Sequence, residues 1–316
     1  MLDILAITSP IYVIIFLGYA TTRAGVFAKA EMRTFGKFVI NLALPALVFN
    51  AIAQRHVSDI LYPGYLLAYL GGSLLMLATV YLACRRGSGM ERTKAALYAM
   101  GTCCSNSSFI GYPILLLTLA PVAAVALALN VLVENVVMLP LVIAMAEAGR
   151  GAAAGNSWGK TLARSLARLA RNPLVLSLAA GMAVSLLEWK LPAPVSRTVT
   201  LFAQASGALS LFVIGGTLVG LQMRGMVKKV APVVFAKLVL HPLAVALVIA
   251  GLPWLGMAPL DADLRAAAIM MAAMPMMSIC LIVAQAYGQE DRCAAALVLT
   301  TIASFFTLSG LLWLLG

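Results

Sequence analysis

Asn106 stands among Ser105, Ser107 and Ser108 in the middle of an apolar run that goes on to Gly111 and Pro113. A second apolar run is interrupted in the same way by Met274-Pro-Met-Met-Ser-Ile-Cys280. Amides, hydroxyls and a thiol in such surroundings can do two things. They can re-satisfy the backbone groups that a proline frees, or they can hold a ligand beside the open end of a half-helix. A half-helix offers unpaired N–H groups and the positive end of its dipole, which suit an anion. One break alone reads as a patched kink. Two breaks at corresponding places favour the ligand reading, with Asn106, Ser105, Ser108, Pro275, Ser278 and Cys280 as its lining.

Three further places carry polar groups in apolar surroundings. Asn41 precedes Pro45 by one turn, so Pro45 frees the Asn41 carbonyl; either a cavity or a packed kink accounts for the pair. Lys237 and His241 lie at i and i+4, directly before Pro242, and share one helix face. They could supply positive charge to an anionic substrate or titrate during a cycle. Lys237 also lies only eight residues beyond Lys229, close enough for its amine to snorkel to an interface. Glu134, next to Asn135 and one turn after Asn130, is a carboxylate that needs a partner or a proton. It could couple protons or sodium, or pair with Lys237.

Catalytic constellations do not emerge. There is no H-E-x-x-H, the histidines are His56 and His241, and no Ser/His/Asp set is credible. Cys84, Cys103, Cys104, Cys280 and Cys293 lie in or near apolar runs, with neither disulfide nor metal spacing. An enzyme is not expected, and neither is a bound cofactor or metal.

The elements that must position these residues follow from composition. Of 316 residues, 63% are hydrophobic and 10% charged, against about 25% charged in soluble domains. The chain reads as an all-α polytopic membrane protein. Ten transmembrane spans can be drawn at 2–22, 34–53, 63–84, 94–119, 121–147, 172–189, 198–222, 231–251, 264–288 and 292–315. The first opens with Asp3 rather than a basic run, so it is expected to be a span and not a cleaved leader. The breaks fall in spans four and nine. The net charge of +11 needs no nucleic acid: seventeen of the 22 Lys and Arg fall in the loops, or the first turn of the adjoining spans, on one side. That bias places this side in the cytoplasm and both termini outside.

The polar stretch 148–171 divides two sets of five spans, 1–147 and 172–316. Taken as 4–22 and 172–190, spans one and six are offset by 168 residues; spans four and nine are offset by about 170. Because five is odd, the second set enters the membrane inverted, giving a 5+5 inverted repeat. Within the linker, Lys160, Arg164 and Arg168 recur on one face, with Leu162, Leu166 and Leu169 on another. A helix lying on anionic lipid is expected there, although a regulatory partner would fit as well. Gly216-x-x-x-Gly220 marks close helix packing. Met270, Met271, Met274, Met276 and Met277 read mostly as core filling.

Asn41-Leu-Ala-Leu-Pro45, Asn106-Ser-Ser-Phe-Ile-Gly-Tyr-Pro113, Lys237-Leu-Val-Leu-His-Pro242 and Ala273-Met-Pro275 with Ala284-x-x-Tyr287 follow one another in order. Together they resemble the auxin efflux carrier family over essentially the whole chain. The resemblance implies a fold like that of sodium/proton antiporters, with helices four and nine unwound and crossing at the substrate site. It implies a scaffold of helices 1, 2, 6 and 7 and a moving domain of helices 3–5 and 8–10. It also implies a homodimer and an elevator-like movement. Plant members export auxin; bacterial members are associated with malate, malonate and similar acids. The short linker resembles the bacterial branch, hence an inner-membrane protein. Plant members have a further proline where this chain has Cys280, and a lysine where it has Gln285. The reading is a secondary transporter of a small mono- or dicarboxylate. A ligand-binding sensor without net transport, signalling through 148–171, is the alternative; a channel is a third possibility.

Overall fold

A computed structural model describes residues 2–54, 62–149, 171–220 and 226–315. Apart from its last residue, the surface helix expected over 157–171 lies outside them. Among the described residues the regular structure is all helical, joined by a single isolated β-bridge. Six helices are long and apolar enough to cross a membrane, so the chain is a polytopic membrane protein. Phe16, Leu201, Leu247 and Phe306 are exposed, as a lipid-facing surface requires. Trp189, Trp254 and Trp313 are exposed near helix ends, where indole rings suit the membrane–water boundary.

The helices are α1 (Leu2–Arg23), α2 (Lys29–Ala53), α3 (Pro63–Gly87), α4 (Arg92–Cys103), α5 (Ser107–Thr118) and α6 (Ala120–Gly149), followed by α7 (Pro173–Leu186), α8 (Ala193–Thr217), α9 (Val227–Leu255), α10 (Ala262–Ala273), α11 (Ile279–Gln285) and α12 (Glu290–Leu315). Two compact units divide them. The first comprises 1–63, 107–131 and 170–220; the second comprises 64–106, 132–169 and 221–316.

Four prolines shape the functional helices by one rule. Each of Pro45, Pro113, Pro140 and Pro242 is preceded by a π turn, at Val39–Ala43, Ser107–Gly111, Val133–Met138 and Ala236–Leu240. A proline ring collides with the carbonyl four residues back and donates nothing to it. Widening the preceding turn relieves the collision. Three of these wide turns close with a bond reaching back five residues: Leu44 to the Val39 carbonyl, Leu139 to Glu134, and His241 to Ala236. The wide turns carry Asn41, Ser108, Glu134 and Lys237.

Inside the first unit, glycine permits close approach. A Cβ on Gly215 would overlap the Ile15 carbonyl, and one on Gly18 the Phe212 carbonyl, so α1 and α8 meet backbone to backbone. Gly216 accommodates Met32. Gly220 plays a different part from the packing role its spacing suggested: its φ of +76° turns the chain just beyond α8. Gly181 of α7 lets the Ile52 side chain of α2 approach. Inside the second unit, Gly72 of α3 accepts Val245 of α9. Thr93 of α4 donates to the Ala146 carbonyl of α6 at 2.9 Å. Met270, Met271, Met274 and Met276 are fully buried, which agrees with core filling.

Candidate functional site

Both broken helices lie in the second unit as far as Asn106, and there their backbones leave the helix. Cys104 is extended, with φ −107° and ψ 121°, and Met274 likewise, with φ −62° and ψ 152°. The extended stretches run antiparallel around the bridge Ser105–Met276. The Asn106 N–H donates to the Pro275 carbonyl at 2.8 Å, and the Met277 N–H to the Cys104 carbonyl at 3.1 Å. Each break thus supplies the backbone partner that the other lost, which is what apolar surroundings demand. The Met276 N–H is taken by Thr300 Oγ1 of α12 at 3.3 Å. Side chains repeat the join: Asn106 Nδ2 donates to Ser278 Oγ at 3.1 Å. Asn106 is 3% exposed; Ser278 is half-buried and Cys280 buried.

Ser105 connects this crossing to the ionisable residues. Its N–H donates to Glu134 Oε1 at 3.3 Å, and its hydroxyl accepts from Lys237 Nζ at 2.9 Å. Glu134 Oε1 also accepts from the Tyr69 hydroxyl at 2.8 Å. Lys237 Nζ donates further to the Ala272 carbonyl at 2.6 Å and bonds His241 Nδ1 at 3.0 Å. Three acceptors match the three protons of an ammonium. With Nδ1 accepting, the imidazole carries its proton on Nε2, which donates to Ser73 Oγ at 3.0 Å. Ala272 belongs to the last turn of α10, where carbonyls lack helical partners and a cation is favoured. Lys237 is fully buried. It does not snorkel: a carbonyl, a hydroxyl and an imidazole hold it inside.

Of the residues singled out from sequence, the second unit brings together Ser105, Asn106, Pro275, Ser278, Glu134, Lys237 and His241 in one bonded cluster. Cys280 lies two residues after Ser278, with its N–H on the Met277 carbonyl. Asn41 and Ser108 belong to the first unit. Asn41 is exposed and its amide donates to the Lys37 carbonyl of its own helix at 2.7 Å. Ser108 is half-buried in the wide turn that opens α5. That turn is tied down on either side of Ser108: Ser107 Oγ accepts from Asn130 at 3.2 Å, and the Phe109 carbonyl from Ser210 at 3.0 Å.

Tyr69, Ser73 and Thr300 are cluster members that the sequence reading missed. A signal for two of them existed. Tyr69 and Ser73 are at i and i+4, like Lys237 and His241, and precede them by the same 168 residues that separate spans one and six.

A model of the family described as membrane transport protein matches residues 4–313. Over 322 residues the chain is 30% identical to a Rhizobium meliloti protein named "Putative malonate transporter", covering 100% of this chain and 97% of that one. It is 25% identical over 245 residues to an uncharacterized transporter, YfdV, of Escherichia coli, covering 76% of each. It is also 25% identical over 240 residues to the lysosomal cholesterol signaling protein of Mus musculus, covering 73% of this chain and 27% of that one. With the matched order of motifs and the paired helix breaks, these likenesses make the chain a member of the auxin efflux carrier family of membrane transport proteins.

Proposed function

We propose that this protein is a secondary transporter of a small organic anion, a mono- or dicarboxylate such as malonate, malate or an auxin-like acid, in a bacterial inner membrane. The observation that carries the reading is the crossing itself. Two helices give up their own hydrogen bonds at one level, exchange backbone bonds, and present the Asn106 amide and the Ser278 hydroxyl there. A carboxylate can take over such donors. Ser105, Pro275 and Cys280 complete the proposed surroundings; Asn41 and Ser108, in the first unit, are candidates for the same substitution test. Coupling to protons or sodium, if the cycle uses it, falls to Glu134, Lys237 and His241.

The reading extends to ten spans in two inverted five-helix repeats. The recurrence of the 168-residue offset supports it, because Ser73 and His241 are bonded to each other. Mates under a two-fold axis touch only where they lie on that axis. An elevator movement of one bundle, in a homodimer with both termini outside, is part of the proposal. The first compact unit holds α1, α2, α7 and α8, in keeping with the proposed scaffold, and holds residues 107–131 as well.

The test is thermal stability of the purified protein with malonate, malate and indole-3-acetate. A true substrate raises the melting temperature, by RT ln(1 + [L]/Kd) in free-energy terms. Asn106→Ala is expected to weaken that stabilisation at least tenfold in concentration while the unliganded protein melts within a few degrees of wild type. Unchanged substrate affinity removes Asn106 from the site.

A further inference from the structure

The second unit contains a cleft that the crossing does not use. Its enclosed part is small, about 40 Å³, and it widens to about 480 Å³ only when the space open to solvent at its mouth is included. Lys94, Leu97, Tyr98 and Gly101 of α4 line it, as do Arg292, Cys293 and Ala296 of α12 and Gln289 just before that helix. Both sets have the spacing i, i+3, i+4, i+7, or one side of a helix. Both place a basic residue at the third helical position, Lys94 in α4 and Arg292 in α12.

The cleft is graded from charged to apolar. Lys94 and Arg292 are exposed at its mouth, together with the N-terminal ends of two helices, of 12 and 26 residues. Those ends carry partial positive charge. Among the described lining residues none is acidic. Lys94 pairs with Glu91 at 3.5 Å, Glu290 and Asp291 stand in the first turn of α12, and Glu147 accepts from the hydroxyl of Tyr287 at 2.6 Å, three residues beyond the lining Ala284. Inward, Leu97, Val230, Val233 and Ala296 are buried, and the floor is Gly101 against Met276. Lacking a side chain, Gly101 leaves room that a Cβ would take from the Met276 sulfur, 2.9 Å away.

From this gradient we propose a second binding site, for an amphipathic anion: one carboxylate or phosphate head between Lys94 and Arg292, and a short aliphatic tail on the apolar floor. A small dicarboxylate is a poor occupant, because its second charge would lie against Val230 and Val233 without a partner. The head can belong to a free acid or to a membrane lipid. The site is independent of the crossing in its charged groups and meets it only at Met276.

The experiment is isothermal titration of the full-length protein in phosphatidylcholine nanodiscs, with hexanoate as probe and hexanol and malonate as comparisons. Saturable binding of hexanoate is expected, with hexanol weaker. Lys94→Gln and Arg292→Gln are each expected to weaken hexanoate about two- to fivefold, the range of an exposed ion pair. Ala296→Leu, which fills the cleft, is expected to remove the saturable signal. Asn106→Ala should leave it unchanged, so failure here and failure of the transport reading are separable. Competition by phosphatidylglycerol in the nanodisc assigns the site to lipid, and insensitivity to it assigns the site to free acids. Non-saturable partitioning, or binding indifferent to both charge changes and to Ala296→Leu, overturns the proposal.

Discussion

Lys237 shows how much one side chain can hold when each of its donors is used. Its ammonium joins α9 to the end of α10 through Ala272, to the crossing through Ser105, and to α3 through His241 and Ser73. Ser105 in turn holds the Glu134 carboxylate by its N–H. Cation and anion therefore share a residue at the crossing, and removal of either leaves the other buried with its balance lost. The cost of such one-sided removal is roughly 3–5 kcal/mol, well above the ~0.6 kcal/mol average for a hydrogen bond between membrane helices. The variant Lys237→Met is thus expected to melt many degrees below wild type. Adding Glu134→Gln should recover part of that loss, since the pair is then neutral on both sides. A Lys237→Met protein as stable as wild type, or a double variant worse than the sum of the singles, rules out this charge balance.

At the scale of elements, the breaks at Asn106 and Pro275 were legible because proline and small polar residues punctuate apolar runs. What those breaks do to each other was not. The antiparallel bridge uses backbone atoms of Cys104, Asn106, Pro275 and Met277, and backbone atoms are the same in every residue type. The acceptor Ala272 was hidden for the same reason: a carbonyl at a helix end has no letter of its own. The π turns were half legible. Pro45, Pro113 and Pro242 announced local defects, but not that these would be wide turns, and Pro140 was not singled out. Glycine roles also depended on neighbours. Gly220 completed the expected motif yet serves as a turn, while Gly215 and Gly216 carry the packing. Gly215→Val is expected to force α1 from α8 and destabilise the protein by about 1–3 kcal/mol, as overpacking does. Thermal unfolding monitored by intrinsic fluorescence checks it; no change in melting temperature means that α1 yields without cost.

At the scale of the whole molecule, the buried crossing bears on how a solute could pass. Ser105, Asn106, Met274 and Met276 are all buried, so the second unit is filled at the level where its helices break. A channel needs a standing water-filled path; a carrier needs a site that is exposed to one side at a time. A filled crossing suits the carrier, and a carrier leaves a kinetic signature. Proteoliposomes loaded with millimolar malonate and diluted into trace labelled malonate should accumulate label transiently above its equilibrium level, because outward-moving unlabelled substrate returns the loaded site to the outside. Uptake should saturate with external malonate. A channel passes label only down its gradient and gives no overshoot. A sensor binds without moving label at all. Malonate that raises the melting temperature yet never enters the vesicle under any imposed ion gradient therefore decides against transport and for sensing, with the crossing kept as the binding site.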